Sequence, residues 1–133
     1  MTGMEVALMV ASTAVSTIGA ISQANAAAQA AEYNAAVARQ EAAAEEARRR
    51  REAERQMGQI RAGRAKSGVT VEGSPLIVLA DSAMEAEIDA LNARWTGETS
   101  AKLYKMEARS ARRAGIYNAG ASLLSGASKI AGM

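Results

Sequence analysis

Residues 63–97, GRAKSGVTVEGSPLIVLADSAMEAEIDALNARWTG, decide how this chain folds. They hold its single proline, Pro75, its single tryptophan, Trp95, and its one short run of β-formers, Val69-Thr70-Val71. Gly63, Gly68 and Gly73 bring backbone freedom that residues with a Cβ lack, so the chain can turn here. Ser74-Pro75 reads as a helix start, with Ser74 as the cap and Pro75 at the first helical position. Of the acids that follow, only Asp81 is near enough to the start for its charge to meet the helix dipole favourably. The stretch is therefore a corner over about 63–75. One helix arrives, the chain reverses, and a second helix leaves.

Outward from the corner on its C-terminal side, Ile77, Ala80, Met84, Ile88, Leu91 and Trp95 recur at steps of three and four. Thr99, Leu103 and Met106 extend that stripe, which predicts an amphipathic helix over about 76–113. Ile77, Met84, Ile88, Leu91, Trp95, Leu103 and Met106 are accordingly the expected core and oligomer-packing residues. Leu76 and Leu79 flank them and are placed to grip the corner. Gly97 costs about 1 kcal/mol against alanine in mid-helix and marks a candidate kink. Beyond lies residues 114–133, rich in Gly, Ser and Ala. Gly115, Gly120, Gly126 and Gly132 make it a poor helix on its own, while Ile116, Tyr117, Leu123, Leu124 and Ile130 make it apolar.

On the N-terminal side, residues 32–62 are dominated by Ala, Glu, Arg and Gln, all good helix formers. Tyr33, Val37, Ala44, Met57 and Ile60 mark a thin apolar side. Glu41 and Glu45 with Arg48, and Glu52 with Arg55, are read as ion pairs along a helix. Arg48, Arg49, Arg50 and Arg51 wrap the helix within one turn, and Arg55 follows. A run of this kind reads first as a solvated face with neighbouring acids. Its sharper reading is contact with phosphates of nucleic acid or lipid. No aromatic side chain interleaves the basic ones, so base stacking is not supported. Earlier still, residues 6–31 carry no charge and are long enough to span a bilayer. Met4, Leu8, Ala11, Val15 and Ile18 line one face there, and Ala7, Ala14, Gly19 and Ala20 make the others small. Small faces favour close helix packing. Ala24-Asn25-Ala26 resembles a signal-peptide cleavage site, but Glu5 sits where such a leader carries Lys or Arg. A small-residue packing or membrane-active helix is the preferred reading.

Composition narrows the function. Hydrophobic residues make up 49% of the 133, yet only 3% are aromatic and most of the apolar count is Ala. Alanine buries little area, so a thick core is out of reach and partner copies are expected. With neither Cys nor His, thiol chemistry, disulfides, the usual zinc ligands and the commonest general base are absent. Neither a Walker A pattern, a dinucleotide-binding glycine motif, HExxH nor GxSxG is present. Glu85, Glu87 and Asp89 alternate and do not share a helix face. The expectation is no enzyme, no cofactor and no metal site. Charge is uneven: residues 32–66 carry +3, 67–97 carry −4 and 98–133 carry +4. In an antiparallel hairpin the acids of 81–89 would meet the basic first helix. The predicted architecture is all-α: a long antiparallel helical hairpin with a Gly/Pro corner and small-residue terminal segments. It forms a single domain that assembles as an oligomer.

One family shares this layout. Ser67-Gly68-Val69, Gly73-Ser74-Pro75-Leu76, Val78-Leu79-Ala80-Asp81, Glu87-Ile88-Asp89-Ala90-Leu91 and Arg94-Trp95-Thr96-Gly97-Glu98 together resemble the signature of small internal virion proteins of T7-like tailed bacteriophages, the internal core or ejection type. Ile77 stands where that type carries an acidic residue, and Trp95 where it carries Tyr. The motif covers about a quarter of the chain, and the order of segments covers the rest. The resemblance implies a protein held inside the capsid near the portal, among portal, internal core or tail proteins. It would be released into the host envelope to help form a conduit for the genome. Two other classes remain: a structural portal or tail component that never meets a membrane, and a sequence-independent DNA-binding hairpin.

Overall fold

The computed structural model describes residues 3–68 and 73–132. Among them the chain is all-α, with two helices packed against each other: α1, Gly3–Lys66, and α2, Ser74–Ala131. Val69-Thr70-Val71 lie outside the described residues. The helices run further than the segment boundaries read from composition. α1 joins residues 6–31 to 32–62 without a break and continues through Gly63, and α2 passes 113 without interruption. Neither helix has an interior proline, and Ala, Glu, Arg and Lys sustain both.

Between the helices, Gly68 (φ 69°) and Gly73 (φ 85°) take the left-handed backbone. Gly68 closes α1, its N–H bonding to the Ala65 carbonyl at 3.4 Å, as a left-handed glycine cap does. The Gly73 carbonyl accepts from the N–H groups of Leu76 (3.0 Å) and Ile77 (3.4 Å). Gly73 therefore holds the cap position expected of Ser74, and Ser74 and Pro75 occupy the first two helical places. Proline fits there because first-turn N–H groups lack intrahelical partners anyway.

The chain falls into two compact units, Met1–Ala35 with Lys102–Met133, and Ala36–Ala101. In the first unit the helices are antiparallel, with Thr13 against Gly126 and Ala24 against Gly115, eleven residues further along each helix. Ala28, Ala31 and Ala108 form the buried cluster between those helices. In the second unit Gly97 lies against Ala38 and Ala42. A Cβ on Gly97 would overlap the Ala42 methyl, and one on Gly115 would overlap that of Ala24. Gly97 is thus a point of close helix approach within a continuous helix. Gly115 and Gly126 likewise sit in a paired seam, where tertiary packing offsets their poor helix propensity.

The seam is made of small residues at an 11-residue interval. In the first unit Ala20 and Ala31 on α1, and Ala108 and Ala119 on α2, are buried or half-buried; in the second, Ala42 and Ala53, and Ala86 and Gly97, are. Eleven residues in three turns is 3.67 per turn, close to the 3.6 of a straight helix, so within each unit residues at this interval share one face. The expected core is corrected by this arrangement. Ile77, Met84, Ile88, Leu91, Trp95, Leu103 and Met106 are all exposed, Trp95 by 68%. Met84, Trp95 and Met106 each precede a seam residue (Ala86, Gly97, Ala108) by two positions. At about 100° per residue that puts them on the opposite face. Of the two leucines expected to grip the corner, Leu79 is buried and Leu76 is exposed.

Candidate functional site

Two surfaces carry whatever chemistry this chain has. The first is the charged part of the Ala36–Ala101 unit. Arg48 and Arg49 both pair with Glu45, and Arg50 bridges Glu46 on its own helix (2.7 Å) and Glu87 on α2. Arg94 approaches Glu46 from α2 at 4.0 Å and bonds Glu98 at 3.1 Å. Of these two cross-helix pairs, Arg50–Glu87 joins a base on α1 to an acid on α2 as the charge pattern predicts, whereas Arg94–Glu46 runs the other way. The Arg50 guanidinium, donating to Glu87, holds that carboxyl below the usual carboxylate range and is itself pushed up. Glu45 is lowered first by the hydrogen bond from Arg49 and then by the charge of Arg48.

Of the five arginines singled out from sequence, three are therefore engaged by carboxylates. Arg51 and Arg55 have no acidic partner within 4 Å among the described residues, so the expected Glu52–Arg55 pair is not formed. Arg51 and Arg55 share an outward groove with Arg48, Glu52, Gln56 and Gln59. Glu46 is the residue that sequence reading missed. It is the one buried charged side chain among the described residues, 7% exposed in a seam otherwise built of Ala and Gly. Its position was legible, because it follows Ala42 by four and Ala35 by eleven. No three His, Cys, Asp or Glu side chains converge among the described residues.

The second surface is the outer face of the first unit. Met4, Leu8, Val15 and Ile18 of α1 and Ile116, Tyr117, Leu123 and Leu124 of α2 are all exposed. An 18-residue window near the N-terminus has a mean hydropathy of 1.6 and none of it is buried; by length and composition α1 could cross a membrane there. Toward the charged part, Arg112 pairs with Glu32 across the helices at 2.8 Å.

No family model, curated protein or solved structure matches the chain.

The site therefore rests on its own geometry. Both helices are apolar on two opposite faces, small residues inward and large ones outward, so neither is one-sidedly amphipathic over its whole length. The larger apolar side chains of the first unit lie mostly outside.

Proposed function

We propose that this chain is an internal virion or ejection protein of a tailed bacteriophage, assembling near the portal and helping form a conduit for genome passage through the host envelope. The observation that carries the reading is the outward placement of nearly every large apolar side chain, which leaves the hairpin incomplete alone. Copies of itself, other virion proteins and, after release, the host membrane are the partners that would cover those faces. The resemblance of residues 67–98 to the internal core type supports the same assignment. Residues 63–75 act as a Gly/Pro corner that lets the hairpin close, with Gly68, Gly73, Ser74 and Pro75 at its centre. Arg51 and Arg55, with Arg48, offer passing DNA a phosphate contact without base readout. The protein works by assembly and insertion, driven by apolar burial and not by chemistry.

The test is dye release from liposomes by the full chain, set beside a double substitution, Val15→Glu with Leu124→Glu, that charges the outer face without touching the seam. Release by the native chain and its loss in the variant support the conduit. Discrete oligomers in solution with no release would instead identify a structural collar or plug that never enters a membrane.

A further inference from the structure

The paired ends of the chain are built inside-out for water. In the unit formed by Met1–Ala35 and Lys102–Met133 the contact between helices is Ala, Gly and Thr, and the large apolar side chains, Met, Leu, Val, Ile and Tyr, stand mostly outward. In a bilayer the usual order is this one. Lipid tails are as apolar as leucine, so large apolar residues gain nothing by turning inward, and helices associate through small residues that let their backbones approach.

Three further observations point to acyl chains as the occupant of that outer face. First, of the eight Ser and Thr hydroxyls in residues 6–31 and 114–128, all but that of Ser22 need no water. Ser12 and Thr13 donate to the Met9 carbonyl (2.9 and 2.8 Å), and Ser16 and Thr17 to that of Thr13 (both 2.8 Å). On α2, Ser122, Ser125 and Ser128 do the same to Asn118, Ser122 and Ser125. Back-bonding of this kind satisfies a hydroxyl inside hydrocarbon. Second, the lengths fit. Residues 114–128 are uncharged between Arg113 and Lys129 and span about 22 Å, while residues 6–31 are uncharged and span about 39 Å. A hydrocarbon core of about 30 Å lies between those values, and long basic side chains at the α2 boundaries can reach out to the headgroups.

Third, one end of the uncharged part is banded as an interface. Lys102, Lys105, Arg109, Arg112 and Arg113 outnumber Glu32 and Glu107 there, suiting anionic headgroups. Tyr33 and Tyr117, 70% and 78% exposed, sit just on the apolar side of Arg113 or beside Glu32, where amphipathic rings favour the membrane boundary. The polar outward side chains Ser22, Asn25 and Gln29 lie within about 15 Å of Glu32 along the axis, close to the headgroup layer.

We propose that this unit crosses a lipid bilayer as one antiparallel two-helix element, with the small seam inside and the large face on lipid. The charged residues 36–101 remain on the side of entry, and Glu5 and Lys129 are carried to the other. The proposal rests on the membrane-active reading above and adds the topology.

The native chain has no cysteine, which makes the topology measurable on the full protein. Gly3→Cys, Ala131→Cys and Ser67→Cys place one thiol at each exposed position in turn. Each variant is added to vesicles of phosphatidylcholine with phosphatidylglycerol and treated with a membrane-impermeant maleimide. The expected result is full labelling of Ser67→Cys and at least tenfold slower labelling of Gly3→Cys and Ala131→Cys until detergent is added. A fluorophore on Val15→Cys should be quenched by lipids spin-labelled deep in the acyl chain, which misplacement or failed folding would not produce. Dye release with all three thiols labelled from outside would overturn the crossing and leave membrane activity standing. Absence of both release and vesicle binding would overturn the two together.

Discussion

At the scale of single residues, the seam decides what each glycine is for. Gly97 faces Ala42 with no room for a methyl group, whereas nothing lies within 4 Å of a Cβ built on Gly58. The same Gly→Ala change therefore has opposite signs at the two places. At Gly58 the gain is helix propensity alone, up to about 1 kcal/mol. At Gly97 overpacking against a short, inflexible partner costs typically 1–3 kcal/mol and outweighs that gain. Melting followed by circular dichroism should show Gly58→Ala above the native chain and Gly97→Ala below it; equal shifts would mean the helices do not approach at Gly97. Glu87 gives a second residue-scale prediction. Its folded pKa is depressed by Arg50, so its stabilisation is present above the ordinary carboxylate pKa and is lost as pH falls through the lower folded value. Both side chains are exposed, so solvent screens the pair and the effect is small. Glu87→Gln should melt slightly below the native chain at neutral pH and coincide with it near pH 3. A gap that persists in acid would show that the pair is not its source.

At the scale of elements, the helical period was legible in the sequence and its phase was not. Ile77, Met84, Ile88, Leu91 and Trp95 recur as a buried face should, and size alone assigns them to the core. The helices instead pair through Ala86, Gly97 and Ala108, two positions out of step. Two apolar faces of one period can each be read as the inside. The deciding signal was the 11-residue spacing of Ala and Gly on both helices together, which a search for large residues passes over. The acid–base complementarity that joins Arg50 to Glu87 was visible from charge counts, while the buried Glu46 needed the seam to be located first. The displaced stripe is the face we propose for contact between copies. Met84→Glu with Trp95→Glu should leave helicity unchanged and weaken self-association. Burying those two side chains contributes about 4 kcal/mol, so association should fall roughly a thousandfold. Sedimentation reads this directly, and the single Trp95 gives an independent measure through a blue shift of the native chain with concentration. A variant that keeps the native oligomer would remove this face from the assembly.

At the scale of the whole molecule, membrane crossing and assembly make different demands, and one groove separates them. Ser22, Asn25 and Gln29 line it with Ile18, Ile21 and Ala26, forming a polar stripe on the outward face of α1 beyond the apolar one. A single copy in lipid would leave those amides without partners. Neighbouring copies can pair them, since Asn and Gln side chains hydrogen-bond between helices within membranes at about 1 kcal/mol each. Asn25→Leu with Gln29→Leu removes that pairing and makes the face more apolar. Binding of the variant to vesicles should therefore be retained or strengthened, while contact between copies loses about 2 kcal/mol, roughly thirtyfold in association. Dye release, which needs several copies around one opening, should fall at protein-to-lipid ratios where the native chain is active and recover only at higher loading. If the variant binds and releases dye as the native chain does, the amides face headgroups alone and the copies meet elsewhere, with the Met84–Trp95 face the next surface to test. If it no longer binds, the stripe itself holds the protein to the membrane.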